Sequence, residues 1–331
     1  MEIKAADVAK LRQMTGAGMM DCKKALVEAN GDYERAKEII REKGKLVAAK
    51  RADRETSEGR VIAKVNGNKA IIVGLGCETD FVAKNDEFKA LAEAIAEAAI
   101  ANFPADKDAL MGCVLADGRT VEAAVTEQTG KTGEKHQIAG YEVVEAPYIV
   151  AYMHNVTGKL AAVVGFNKEF DAQVAKGVAM QVASMNPVAV SAESVPQSVI
   201  DAELKTATEK TKEELVQKAV DAALSKAGIN PAHVDSEAHI ESNTAKGWIT
   251  PEQAEQAREI IKTVSAEKAA NLPEQMVANI AKGRLQKFFK EQTLEEQGYQ
   301  MGDGKTAVKD VVKAADAEAK ILVFKRVSLA D

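Results

Sequence analysis

Residues 61 to 100 read VIAKVNGNKAIIVGLGCETDFVAKNDEFKALAEAIAEAAI, and residues 149 to 184 read IVAYMHNVTGKLAAVVGFNKEFDAQVAKGVAMQVAS. Set one above the other, they share a strand, a turn, a second strand ending in Val-Gly, an N-x-E-F box and a helix. The landmarks are Val73-Gly74 against Val164-Gly165, and Asn85-Glu87-Phe88 against Asn167-Glu169-Phe170. Each copy reads as a β-hairpin followed by a helix. The pattern therefore predicts an α+β fold whose core holds two related hairpin-plus-helix subdomains.

The copies differ in one place. One residue separates Gly165 from Asn167, and ten separate Gly74 from Asn85. The stretch Leu75 to Lys84 is thus unnecessary to the shared scaffold, and extra loop material on a rigid base is a common seat of function. A plainer reading has Phe81 folding back as a small core anchor in a padded turn.

Working outward, residues 1 to 45 read as three short helices, Ala5 to Met14, Met19 to Ala29 and Tyr33 to Lys43. Gly16, Gly31 and Gly44 stop them, and Asp32 caps the third. So small a bundle has little core and suits docking. Residues 46 to 59 carry the chain's one concentrated basic cluster, Lys50, Arg51 and Arg54, and read as a linker, because no aromatic interleaves the charges as a stacking platform for bases requires. Residues 60 to 146 form the first core subdomain with its connecting helices, in which the turn at Asp117-Gly118 carries no chemical signal. Residues 147 to 196 open the second. From 197 to 270, Leu204, Thr208, Thr211, Leu215, Ala219 and Ala222 recur at helical spacing, and Thr250-Pro251 with Gln253 opens another long helix. The two form an inserted antiparallel helical hairpin, with Trp248 near its turn as an expected loop anchor. Residues 271 to 331 complete the second subdomain, beginning with a helix whose Met276, Ile280 and Leu285 suit a core-facing stripe.

Composition excludes several classes. The 331 residues are 46% hydrophobic and 28% charged, with a net charge of −6. Residues 1 to 60 are slightly basic and the rest acidic, and neither balance suggests a phosphate-backbone binder, so direct nucleic-acid binding is not expected. The three cysteines are far apart and form no C-x-x-C, which reads as reduced thiols. No run of about eighteen apolar residues occurs, and the start, MEIKAADVAKLRQM, lacks a signal-peptide core. A cytoplasmic protein away from membranes is expected.

Catalytic patterns are weak. TGAGMMD and VGLGCETD each contain G-x-G without the third glycine, and no G-x-x-x-x-G-K-[ST] occurs. His136, His154, His233 and His239 show neither metal-ligand spacing nor a partner nucleophile. No enzyme, cofactor or metal site is expected, and binding is the better default.

Two stretches become specific together. LRQMTGAGMMDCKKALVEANGDYERAKEIIREKG, Leu11 to Gly44, resembles the N-terminal signature of the elongation factor Ts family, guanine-nucleotide exchange factors for elongation factor Tu. ETDFVAKNDEF, Glu78 to Phe88, resembles that family's second signature and falls in the corresponding place. The resemblance implies a ubiquitin-associated-like (UBA-like) N-terminal domain, a core of two similar α+β subdomains and an inserted coiled coil. It also implies a GDP-bound elongation factor Tu as partner. A wedge of Asp80 and Phe81, shaped by Thr79 and Val82, would enter between helices of the partner's nucleotide domain and disturb its Mg²⁺ and phosphate loop. Leu11, Arg12, Met19 and Met20 are the expected docking residues, although Leu11, Met14 and Met19 also suit a bundle core.

Departures are visible too. Many members read A-M-H-V where this chain has Ala179-Met180-Gln181-Val182, which leaves Gln181 as an expected amide contact in place of an imidazole. The hairpin is longer than in compact members, and a further C-terminal module of some relatives is expected to be missing. Three readings compete: an exchange factor, a helical scaffold binding through 197 to 270, and an enzyme whose pocket the Gly74 to Asn85 loop lines. A homodimer is compatible with all three.

Overall fold

The second strand of each hairpin is apolar at almost every position, which a strand tolerates only when both faces are covered. In the computed structural model, which describes residues 3–330, both are. The chain divides into two compact units, residues 1–190 with 294–331, and Ser191–Thr293.

The first unit opens with α1 (Ala5–Thr15), α2 (Met19–Glu28) and α3 (Tyr33–Lys50). Gly16 closes α1 at φ 67°, and the Asp32 carboxylate caps α3 by accepting from the Glu34 and Arg35 amides. Gly44, expected to end α3, instead lies buried inside it. There α3 crosses a later helix so closely that a Cβ on Gly44 would sit 3.1 Å from the Thr126 carbonyl oxygen. An interior glycine costs a helix about 1 kcal/mol relative to alanine, a cost set here against close packing.

Next come β1 (Glu58–Asn66), β2 (Lys69–Cys77), the single turn α4 (Asp80–Ala83), α5 (Asp86–Asn102), α6 (Lys107–Met111), α7 (Val121–Thr132) and β3 (Gln137–Glu145). Then follow β4 (Tyr148–Met153), β5 (Leu160–Phe166) and α8 (Ala172–Met185). Two antiparallel three-stranded sheets result, β1-β2-β3 and β4-β5-β6, with β6 (Ile321–Ser328) coming from the chain's end. Along β2, Ile71, Val73, Leu75 and Cys77 face α5, whose Phe88, Leu91 and Ile95 meet them. Ala70 and Ile72 point the other way, into a core shared with Ala161, Val163 and Val327 of the second sheet. The unit is therefore layered helix, sheet, sheet, helix, and the α+β class holds.

The two Val-Gly landmarks have a packing cause. Each lies at a register shift, between Gly74 and Leu75 and between Gly165 and Phe166. A Cβ on Gly74 would come within 3.1 Å of Val327, and one on Gly165 within 2.6 Å of the Ala146 methyl. Glycine lets the sheets close on one another. The N-x-E-F boxes are less alike. Asn85 caps α5 through the Glu87 amide, but α8 is capped by Asp171, while Asn167 binds the backbone of Glu318 and Lys320.

The second unit holds α9 (Gln197–Lys226), α10 (Glu237–Ala245), α11 (Pro251–Ala270) and α12 (Glu274–Gln292). Val220 and Leu224 of α9 pack with Ala254 and Ala257 of α11, and Thr250 and Gln253 form the expected reciprocal cap. Residues 274 to 292, expected to belong to the core, instead continue along α9. Val277 and Ala281 are the buried positions of α12, Met276 and Ile280 are exposed, and Arg284 pairs with Glu214. The break at Leu272-Pro273 separates α12 from α11, so one long helix is flanked by two shorter ones in succession. Trp248 is 62% exposed, stacked against His233 and Lys246, and the buried anchor beside it is Ile249.

Leu294 and Glu295 return the chain to the first unit by donating amides to the Ala189 and Val190 carbonyls. The unit ends with α13 (Val308–Ala315) and β6 (Ile321–Ser328). Residues 1 and 2 of the expected N-terminal domain, and residue 331 of the expected last segment, lie outside the described residues.

Candidate functional site

Strand β2 ends in a buried cysteine, and within three residues the chain has turned into α4. Burial, aided by the charges of Glu134 and Glu58, pushes the Cys77 thiol up to about 12, so it is an inert core group that donates to the Thr79 carbonyl. Thr79 takes the N-cap position, with extended backbone and its hydroxyl oxygen 3.5 Å from the Val82 amide. Its own amide and hydroxyl donate to opposite oxygens of Glu134, at 3.1 and 2.7 Å. Glu78 accepts from the Lys135 amide at 2.6 Å and from Arg51 at 2.8 Å. Burial works to raise the Glu78 carboxyl, but those two donors outweigh it and hold it below its ordinary value.

On this support, Val82 and Ala83 pack down onto the core beneath α5. A single helical turn spreads consecutive side chains around its axis. Phe81 consequently points outward and is 82% exposed, while Phe88, seven residues later, is fully enclosed. The folded-back anchor is thus Phe88 and not Phe81. Asp80 pairs with Lys84 at 2.6 Å, and that hydrogen bond is the main reason its carboxyl titrates below the usual range. The turn presents an unburied aromatic ring beside a carboxylate held by one exposed, readily exchanged partner.

In the N-terminal module the expected docking residues divide. Leu11 is fully buried with Val8, Cys22 and Leu26, so it is core and offers no surface. Arg12 is exposed and so are Met19 and Met20, the latter at 64%. Met14, which by sequence also suits a bundle core, is instead exposed; it shares helix α1 with Arg12. Gln181 is corrected as well. It is fully enclosed, donates to Gln297 and the Gly298 carbonyl, and accepts from the Gln300 amide. An amide at that position locks the segment 297 to 300 against α8, and it has no free face for a partner.

Thr79, Asp80, Phe81 and Val82 therefore lie together on one turn, and Arg12, Met19 and Met20 are exposed on α1 and α2. Among the described residues no three His, Cys, Asp or Glu side chains converge as metal ligands would. Of the supporting residues, Arg51 belongs to the basic cluster read as a linker, Glu134 and Lys135 come from a segment with no motif of its own, and only contact reveals their role.

The sequence matches a known family. The family model described as elongation factor TS matches residues 78–331, beginning at Glu78 beside the exposed turn. The chain belongs to the elongation factor Ts family. It is 56% identical to elongation factor Ts of Phocaeicola vulgatus over 329 residues, covering 99% of both chains. It is 55% identical to that of Parabacteroides distasonis and 40% identical to that of Christiangramia forsetii, again with 99% of both chains covered. The family is one of translation elongation factors of the exchange-factor class. No helix among the described residues is long and apolar enough to cross a membrane.

Proposed function

We propose that the chain promotes release of GDP from elongation factor Tu during translation elongation, in the cytoplasm, by presenting Asp80 and Phe81 to the partner's nucleotide domain. The observation that carries this reading is the 82% exposure of Phe81 on a turn whose neighbours Val82 and Ala83 are anchored in the core. An isolated exposed phenylalanine on a mobile loop would lose ordering entropy on binding; one already held in place loses less. Burying its ring in a partner gap contributes on the order of 2 kcal/mol. Asp80 can trade Lys84 for donors or water ligands near the Mg²⁺ site.

Arg12, Met19 and Met20, with Met14, form the docking face: an unshared guanidinium for a partner acid beside adaptable apolar thioethers. Exchange then follows from reciprocity, because a factor that weakens GDP binding is itself bound less tightly when GDP is present. A thousandfold effect corresponds to about 4 kcal/mol of coupling. No bond is made or broken, so no catalytic residue, cofactor or direct nucleic-acid contact enters.

The test is the release of a fluorescent GDP analogue from elongation factor Tu of the same source. Wild-type chain should accelerate release, and Phe81→Ala should lose most of the acceleration while melting at the wild-type temperature. An unchanged rate with wild type ends the reading. The exposed Trp248 favours a second one, a scaffold that binds through the inserted helices. In that case Trp248→Ala abolishes partner capture and Phe81→Ala does not.

A further inference from the structure

Helix α7 belongs to the segment between the two hairpins, where the sequence carries no chemical signal, yet it and the residues just past its end contact α3, the end of α1 and the base of the α4 turn. At Gly130 its backbone lies against α3, where an added Cβ would stand 3.1 Å from the Gly44 Cα. The Lys131 side chain lies over Gly16 at the end of α1, leaving 2.5 Å for a Cβ there. Just past its end, Glu134 takes both donors of Thr79, and the following residue, Lys135, donates its amide to Glu78 and its amine to the Ala52 and Arg54 carbonyls. Arg51, at the end of α3, closes the circuit on Glu78.

We propose that α7 is a strut that sets the position of Phe81 relative to the docking face on α1 and α2, with Glu134 as the positioning residue. The proposal rests on the exchange reading and deepens it. Two Gly contacts leave α3 and α7 no side-chain layer through which to slide. The two Thr79 bonds to one carboxylate fix both the backbone direction and the cap from which the α4 turn starts. A docking face and a wedge on one rigid body let binding energy at the first drive insertion of the second; on a loose joint that energy is lost to reorientation.

The full chain decides it, with GDP release measured against factor concentration and amide hydrogen exchange read at Thr79. In Glu134→Ala the Thr79 amide should lose protection. The maximal release rate should fall about tenfold, the scale of a charged hydrogen bond, with the half-saturating concentration little changed. Glu134→Gln keeps one acceptor for the Thr79 hydroxyl and should recover part of the rate. Adding Glu134→Ala to Phe81→Ala should cost almost nothing more, because both act through the same ring. A wild-type maximal rate in Glu134→Ala, or losses that multiply in the double variant, overturns the strut. Should Glu134→Ala fail to fold, Glu134→Gln decides by the same two readouts. If Phe81→Ala itself releases GDP at the wild-type rate, the exchange reading fails, and protection at Thr79 still shows whether Glu134 holds the turn.

Discussion

Three side chains of similar apolar character have opposite fates, and substitution separates them. Phe81 contacts little within the chain, so Phe81→Ala should leave the melting temperature within error and reduce the release effect by about thirtyfold, from the ~2 kcal/mol of a buried ring. Leu11 is enclosed in a very small core. Leu11→Ala should therefore cost about 2–5 kcal/mol of stability, and Met20→Ala, on the exposed face, almost none; thermal unfolding of both variants checks the division. His136 is a different case, a buried imidazole. It packs against Phe88, its Nδ1 lies 2.9 Å from the Glu134 carbonyl, and its Nε2 is buried without a partner. Burial holds its pKa below the ordinary value, against the opposing pull of the Glu134 carbonyl and of the Glu134 and Glu78 charges. The folded state thus refuses a proton that the unfolded chain accepts near pH ~6.5. Stability should fall as pH drops below that value, until the lower folded pKa is reached. His136→Leu should flatten the difference in melting temperature between mildly alkaline and mildly acid buffer.

At the scale of elements, glycine sets spacing. Gly165→Ala forces a methyl against Ala146 and Val323 between sheet and sheet, and overpacking of this kind costs about 1–3 kcal/mol. Gly118→Ala meets nothing within 4 Å and suffers only from its positive φ, so the pair distinguishes crowding from backbone strain in one denaturation series. The hairpins, α5, α8 and the helices of the N-terminal module were legible because period and capping residues are local signals. Strand β3 was not. Its sequence QIAGYEVVE mixes glycine and charge with apolar residues, and it becomes a strand by pairing with β2. The continuation of α3 through Gly44 was hidden for the opposite reason: a residue that usually stops a helix is retained where another backbone comes close.

At the scale of the whole molecule, the chain leaves the first unit at Val190 and re-enters at Leu294, two points tied by adjacent backbone hydrogen bonds. Replacing Ser191–Thr293 by a short Gly-Ser linker should therefore leave the first unit folded, with far-ultraviolet dichroism showing only the loss of the inserted helices. If the exchange reading is right, release should keep its dependence on Phe81. Gln181 and Leu11 show why site residues are harder to read than elements: a polar or apolar type in a motif does not say whether the fold will cover it. The sequence by itself determined the α+β class, the repeated hairpins, the long helices and the exceptional loop, since these rest on periodicity, capping and comparison of one stretch with another. Only the tertiary structure decided that Phe81 is offered outward, that Gln181 is enclosed, that residues 274 to 292 lie along α9, and that Glu134 and Lys135 hydrogen-bond the base of the turn. Burial and long-range hydrogen bonds depend on what the rest of the chain brings alongside, and local sequence does not record that.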